Sequence, residues 1–128
     1  MKTLLDTHVF LWLITGDGRL SKSARQAYLD PETGVYLSAA SFWEIGIKTS
    51  LGKLTLKEDW LQGFEEQMKI NTIQWLPIES RHCEQVSRLP FHHRDPFDRM
   101  LIAQALVEDL TLVSSDACFA AYGVPCLW

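Results

Sequence analysis

Short apolar runs of strand length alternate along the chain with longer segments whose apolar residues recur at helical spacing. Parallel strands need long crossover connections, and such crossovers are right-handed. This order therefore predicts an α/β three-layer sandwich, in which helices cover both faces of a mostly parallel sheet. The predicted strands are residues 2–6, 35–38, 72–78 and 111–116 with a short strand in the tail 122–128, and the predicted helices are residues 7–14, 22–29, 39–52, 58–70, 80–89 and 95–110.

Length and composition are those of one folded domain. The 128 residues are 47% hydrophobic and contain no repeat or linker, so we expect a single domain over residues 1–128. No run approaches the roughly 18 apolar residues of a membrane span, and Asp6 and His8 interrupt the apolar N-terminal stretch. We therefore expect no signal peptide and no membrane segment, and a cytoplasmic location. The three cysteines show neither CxxC nor disulfide-framework spacing and are expected to be small core residues: Cys83, Cys118 and Cys126.

Four acidic residues lie at predicted strand ends or near predicted helix starts. Asp6 follows the first strand within LLDTHVFLW, where a buried charge is costly unless something compensates it. Asp116 ends the fourth strand, Glu44 lies early in the helix after the second strand, and Asp98 lies in the first turn of the long helix before the fourth strand. Ligands of open parallel sheets bind beyond the carboxyl ends of the strands. We therefore expect these four carboxylates to meet at one edge of the sheet.

Each of these acids also has a purely structural interpretation. Asp6 and Asp116 could cap the helices that follow them, because aspartate is a preferred N-cap residue. Glu44 could form an ordinary i,i+4 ion pair with Lys48. Four caps or pairs converging on one sheet edge would be an improbable coincidence, which favours a shared site.

The DPFD motif contains two acids with different expected roles. Asp95 has the position of an N-cap before Pro96, and capping is its favoured interpretation. Asp98 shares a helix face with Leu101 and Ile102, so its carboxylate points toward the core and needs a partner. Asp98 is therefore the predicted member of the site.

Crowded carboxylates stay ionised only beside a cation. Oxygen ligands without an organised Cys or His set suit hard ions such as Mg²⁺ or Mn²⁺. The adjacent His92 and His93 are expected to point in different directions, and His82-Cys83 lacks zinc-ligand spacing. The net charge of −4 argues against a protein that coats nucleic acid, but two divalent ions would offset it at the site itself.

Four stretches, LLDTHVFLW, LSAASFWEIGIK, HRDPFDRMLIAQA and LVSSDACFAAYG, together carry a resemblance that runs through nearly the whole chain. In them the sequence resembles the PIN-domain ribonucleases, specifically the VapC-type toxins of bacterial type II toxin–antitoxin systems. The resemblance implies Mg²⁺- or Mn²⁺-dependent endonucleolytic cleavage of RNA and inhibition by a cognate antitoxin. It places the family's acids on Asp6, Glu44, Asp98 and Asp116, and supporting hydroxyl groups on Thr7, Ser41 and Ser114.

The resulting mechanistic hypothesis is hydrolysis without a covalent intermediate. Asp6, Glu44 and Asp98 hold one metal ion, and Asp116 assists in binding this ion or helps to bind a second ion. A metal-activated water attacks the phosphodiester in line and leaves a 5′-phosphate and a 3′-hydroxyl. Lys48, Arg94 and Arg99 are candidates for contacts to RNA phosphates, although solvated surface charge is the favoured interpretation of each one alone.

Other classes of acidic-pocket α/β proteins fit less well. A receiver-type phosphoacceptor domain needs paired early acids and an aspartate that ends the third strand, and TIQWLPIES has none. A haloacid-dehalogenase-like phosphatase needs a second aspartate at position 8, which is His8. A non-catalytic metal-binding or receiver-like acidic-pocket α/β domain remains the alternative.

The chain has more large aromatic side chains than one small sheet needs, and aromatic residues are enriched at interface cores. Trp43 and Trp75 are expected to be buried between a helix and a strand. Trp12 and Trp60 are the better interface candidates. Together with the resemblance, this predicts a homodimer and a complex with a small antitoxin.

Overall fold

A computed structural model describes residues 1–128 as a sheet with helices on both faces. The strands are β1 (Lys2–Leu5), β2 (Gly34–Ser38), β3 (Ile73–Leu76), β4 (Thr111–Val113) and β5 (Cys126–Leu127). The helices are α1 (Thr7–Thr15), α2 (Lys22–Leu29), α3 (Ala39–Ser50), α4 (Trp60–Ile70), α5 (Ser80–Arg88) and α6 (Pro96–Glu108), and a 3₁₀ helix spans Ala117–Tyr122. No helix is long and apolar enough to cross a membrane.

The five strands form one sheet in the order β3-β2-β1-β4-β5, and every neighbouring pair is parallel. The register sets Leu4 of β1 beside Leu112 of β4. The predicted α/β sandwich is thus confirmed, and the sheet is entirely rather than mostly parallel. The connection after β1 leads to β2 on one side, and the connection after β4 leads to β5 on the other, so the carboxyl ends of β1 and β4 border a topological switch point.

Two hydrophobic clusters form the core. Leu4 and Leu112 belong to a cluster with the apolar face of α6, whereas Leu5 and Val113 belong to a cluster with α1. Successive residues of a strand point to opposite faces, so each cluster packs on its own face of the sheet. Burial on both faces explains why the strands are runs of apolar residues rather than alternating ones.

Most predicted element ends are confirmed within two residues. Ser21 caps α2 by accepting a hydrogen bond from the Ala24 N–H at 3.0 Å. The end of α3 lies near Gly52, which adopts a left-handed backbone with φ of 72°. β4 is shorter than predicted and ends at Val113, so Asp116 lies in the connection beyond the strand.

The expectation that the cysteines are core residues is wrong. Cys83 and Cys126 are exposed and Cys118 is half-buried. Cys83 lies on α5, whose sequence is largely polar, and Cys126 lies on the short edge strand β5. A residue on an edge strand has no neighbouring strand on one side, so even an apolar side chain there remains exposed to solvent.

The expected burial of Trp43 and Trp75 is also wrong, since these side chains are 60% and 43% exposed. Trp43 points outward from α3 and meets Phe97 edge-on, with ring centroids 5.1 Å apart. Trp75 lies on the edge strand β3, where it contacts Phe42. Trp12 and Trp60, by contrast, are half-buried against the second core cluster: α1 and α4 turn these rings toward the sheet.

Candidate functional site

The site lies at the carboxyl edge of the sheet, where β1 and β4 end side by side. The Asp6 N–H donates to the Val113 carbonyl at 3.0 Å, which joins the two strand ends. The first two turns of α3 and the first turn of α6 face the same edge, and they bring Glu44 and Asp98 toward Asp6. The sequence predicted this convergence from the positions of the acids at strand ends and near helix starts.

Asp6 is buried, with 8% of its surface exposed. Its carboxylate makes no capping hydrogen bond to α1. Instead, Asp6 Oδ2 accepts a hydrogen bond from Ser114 Oγ at 2.8 Å. Burial raises the pKa of Asp6, and the Ser114 hydrogen bond partly opposes this rise. The capping interpretation of Asp6 therefore fails, and its carboxylate points into the site.

Glu44 is 5% exposed and is held by two donors. Thr7 Oγ1 donates to Glu44 Oε1 at 2.8 Å, and Ser41 Oγ lies 2.9 Å from the same threonine hydroxyl. Lys48 Nζ donates to Glu44 Oε2 at 2.6 Å. The i,i+4 pair exists, but its carboxylate is buried, unlike that of an ordinary surface pair.

Asp98 carries the clearest sign of crowded negative charge. Burial, followed by the neighbouring charges of Asp95, Asp6, Glu44 and Asp116, raises the pKa of Asp98 to about 7. These carboxylates are therefore close enough to repel one another.

The two remaining acids of this edge act as helix caps. Asp95 Oδ1 accepts from the N–H groups of Phe97 and Asp98 at 2.9 and 3.0 Å, which confirms its predicted capping role. Asp116 is exposed and caps the 3₁₀ helix through the Cys118 N–H at 3.0 Å. That hydrogen bond lowers the pKa of Asp116. Asp116 thus lies at the rim, while Asp6, Glu44 and Asp98 form the inner group.

The donor set of the inner group suits a hard divalent cation. All three side chains present carboxylate oxygens, and burial followed by repulsion from the neighbouring acids raises the pKa of Asp98, even though Lys48 pairs with Glu44. A divalent ion would remove this repulsion, so the residues present fit a metal site.

His93 is a member of this region that the sequence analysis set aside. One potential ligand atom each of His93, Asp98 and Cys118 lies within 4.8 Å of the others. Burial, followed by the Asp116 hydrogen bond, raises the pKa of the Cys118 thiol to about 12. The sequence signal that could have found His93 is its place five residues before Asp98, across the turn that Asp95 and Pro96 form.

Arg99 does not have the role considered for it. It is 5% exposed, and its guanidinium donates to the carbonyls of Pro90 at 2.8 Å and Leu89 at 3.3 Å. It also lies 4.0 Å from the centroid of the Phe91 ring. Arg99 is therefore a structural anchor for the segment between α5 and α6, and neither a solvated charge nor a phosphate ligand. Arg94 is exposed.

A second polar group joins α5 and α6 away from this edge. His82 Nδ1 accepts from the Glu79 N–H at 2.9 Å, so the neutral ring carries its proton on Nε2, which lies 3.6 Å from Glu108 Oε1. Arg81 contacts the same Glu108 oxygen at 2.6 Å. A ring nitrogen that carries a proton is not a metal ligand, so this group serves the packing of the two helices.

Comparison with known proteins identifies the fold. The PIN domain family model matches residues 3–125. VapBC2 from Rickettsia felis bound to a DNA fragment from its promoter has a TM-score of 0.73 at 14% identity, covering 98% of this chain and 97% of that chain. VapBC-1 from nontypeable Haemophilus influenzae has a TM-score of 0.71 at 16% identity, covering 98% and 96%.

VapBC-5 from Mycobacterium tuberculosis, described as a member of the VapBC family of toxin–antitoxin systems, has a TM-score of 0.60 at 18% identity, covering 98% of this chain and 96% of that chain. No curated protein matches the sequence. The structural likenesses concern the fold, and the family model spans nearly every residue. The chain therefore belongs to the PIN domain family.

Proposed function

We propose that the protein is a metal-dependent endoribonuclease and the toxin of a type II toxin–antitoxin pair. The observation that carries this proposal is the inner group of Asp6, Glu44 and Asp98 at the carboxyl edge of the sheet, with the raised pKa of Asp98. Membership of the PIN family and the fold shared with VapBC proteins support the same function.

Asp6, Glu44 and Asp98 would hold Mg²⁺ or Mn²⁺, and Asp116 at the rim would assist or help to bind a second ion. When bound, such an ion supplies Lewis-acid stabilisation of the charge that develops on a phosphodiester under attack by water. The side chains of this protein orient the ligands: Ser114 holds one oxygen of Asp6, and Thr7 holds one oxygen of Glu44.

RNA binding at this edge requires that negative charge be offset. The chain has a net charge of −4, and the buried carboxylates would repel phosphate without a cation. Lys48, beside Glu44, and the exposed Arg94 are the basic groups that we assign to phosphate contacts.

Cleavage of labelled RNA by the purified protein tests this function. We expect cleavage with Mg²⁺ or Mn²⁺, no cleavage with EDTA, and products with 5′-phosphate and 3′-hydroxyl ends. The Asp6→Asn variant keeps the size of the side chain and removes its charge, so it should be inactive in the same assay. Metal binding without cleavage of any RNA would instead favour the non-catalytic metal-binding alternative.

We propose two protein partners for this chain, an antitoxin and a second copy. The antitoxin is a small protein, encoded next to this one, that brings a lysine or arginine to the acidic site. Unneutralised carboxylates attract such a side chain, which would displace metal and block RNA. The neighbours of similar fold include toxin–antitoxin systems, which supports this partner.

The second copy would bind on α3. Trp43 and Leu51 are 60% and 63% exposed, and Ile47 lies between them at the i+4 spacing that lines up one helix face. A row of exposed apolar side chains is typical of an interface. Trp12 and Trp60, which the sequence favours, bury much of their rings against their own chain.

Light scattering at high micromolar concentration should give the mass of a dimer, and Trp43→Ala should shift it toward the monomer. Trp75→Ala is the matched control, because Trp75 is exposed on β3 away from this row. Co-expression with the neighbouring small protein should relieve toxicity and yield a complex. A monomeric wild-type protein, or a neighbour that neither binds nor protects, would contradict the corresponding half of this proposal.

A further inference from the structure

His93 links the 3₁₀ helix to the acidic site. Its side chain lies between Tyr122 and Asp98: Nδ1 is 2.7 Å from Tyr122 Oη, and Nε2 is 3.4 Å from Asp98 Oδ2. His93 Nε2 is buried and makes no hydrogen bond in this structure. The charged group that it faces is the Asp98 carboxylate, and a ligand atom of Cys118 lies within 4.8 Å of the same pair.

The contacts of Tyr122 decide which ring nitrogen carries the proton. Tyr122 Oη accepts the backbone N–H of His93 at 3.1 Å and Arg99 Nη1 at 3.3 Å. A hydroxyl oxygen that receives two donors directs its own proton elsewhere, and of its two acceptors His93 Nδ1 at 2.7 Å is much closer than the His93 carbonyl at 3.5 Å. The neutral ring of His93 therefore accepts at Nδ1 and carries its proton on Nε2, toward Asp98.

This tautomer excludes one use of the group and favours another. A protonated Nε2 has no lone pair for a metal ion, so His93, Asp98 and Cys118 do not form a mixed nitrogen, oxygen and sulfur metal site. We infer that His93 is a positioning residue of the candidate active site: its buried Nε2–H, which has no partner in this structure, faces Asp98 Oδ2 at 3.4 Å and is placed to donate to it. The catalytic importance of His93 rests on the proposed function, whereas its proximity to Asp98 is a feature of the structure.

The inference completes a pattern within the inner group. Each of its three acids has one oxygen next to a donor from a different part of the chain: Ser114 beside Asp6, Thr7 beside Glu44 and His93 beside Asp98. The donors beside Asp6 and Glu44 form hydrogen bonds that orient those carboxylates, whereas the His93 N–H faces Asp98 without a formed hydrogen bond. Outer partners of this kind commonly govern metal affinity.

Arg99 and Tyr122 connect His93 to the rest of the fold. Arg99 is anchored on the carbonyls of Leu89 and Pro90, and it donates to the same Tyr122 oxygen that holds His93. The segment that carries His93 is thus tied at both sides, which keeps the ring beside Asp98.

Calorimetric titration of the RNA-free protein with Mn²⁺ tests the role. We expect His93→Leu to weaken Mn²⁺ binding about 10- to 100-fold, because the donor to Asp98 is lost. His93→Gln keeps an N–H donor at similar reach and should recover much of the affinity. Tyr122→Phe frees the ring to change tautomer and should give an intermediate loss.

The matched control is His92→Leu, since His92 is exposed, packs edge-on against Tyr122 and makes no contact with Asp98. Its Mn²⁺ affinity should equal that of wild type. In the cleavage assay, the metal concentration for half-maximal rate should rise in His93→Leu by the same factor as the dissociation constant, with a smaller change in the maximal rate.

Unchanged Mn²⁺ binding in His93→Leu would overturn the inference, as would a loss in which His93→Gln is no better than His93→Leu. The Mn²⁺ titration does not depend on RNA cleavage. Failure of the proposed nuclease function would therefore appear as absent cleavage by the wild-type protein, separately from these outcomes.

Discussion

Asp98→Asn is expected to lower the rate of RNA cleavage at least about 100-fold, because it removes a charged carboxylate from the inner group. Asp6→Asn and Glu44→Gln should have comparable effects, since both carboxylates lie buried at the same edge, close to Asp98. Asp116→Asn should be milder, because Asp116 lies at the rim and caps the 3₁₀ helix.

Asp95→Asn provides the matched control for Asp98→Asn. Asp95 is three residues away on the same turn and carries the same charge, but its carboxylate caps α6. Asparagine is an equally good N-cap, so this variant should fold and cleave RNA like the wild type. Normal cleavage by Asp98→Asn together with an inactive Asp95→Asn would mean that the wrong acid of the DPFD motif has been assigned to the site.

Millimolar Mg²⁺ or Mn²⁺ should stabilise the folded protein, because only the folded chain assembles the carboxylates. A ligand at 100 times its dissociation constant adds about 2.7 kcal/mol to the free energy of unfolding, which is several degrees in melting temperature. Thermal melts with and without metal measure this. The Asp6→Ala/Asp98→Ala double variant should show no such shift, and a wild-type melting curve unchanged by metal would contradict the metal site.

The stabilisation of the folded protein by a divalent metal ion should increase with pH. The pKa of Asp98 is about 7 in the folded protein, above the ordinary value of 3.8. Between these values the folded state holds a proton that the unfolded state has released, so metal-free stability contributed by Asp98 falls as pH rises from about 4 to about 7. Above pH 7 the ionised carboxylate costs about 2 kcal/mol after allowance for solvent screening. Metal offsets this cost.

Melts at pH 5.5 and pH 8 therefore give two linked results. The stabilisation by Mg²⁺ should be larger at pH 8, where Asp98 is ionised and able to bind. Without metal, Asp98→Asn should be more stable than wild type at pH 8 and closer to it near pH 4. Equal metal effects at both pH values would show that Asp98 does not titrate in this range.

The sequence determined the order of the elements, because the periods of apolar residues and the capping residues are local properties of the chain. Ser21 and Asp95 are caps as predicted, and the positions of Asp6 after the first strand and of Glu44 early in the helix after the second predicted that they share one edge. The family motifs likewise pointed to the four acids. The ends of strands were predicted less accurately than the order of the elements, as β4 demonstrates by ending three residues before its predicted end.

The tertiary structure decided which face each side chain meets. Trp43 has a large apolar side chain of the kind usually found in a core, but it lies on the outer face of α3. Arg99 has a charged side chain of the kind usually found at the surface, but it is buried among carbonyl groups. His93 reaches Asp98 only because Tyr122, 29 residues later in the chain, orients its ring. The contact between Tyr122 and His93 joins residues 29 apart in sequence, so no local pattern encodes it, and all of these placements depend on how the helices pack against the sheet.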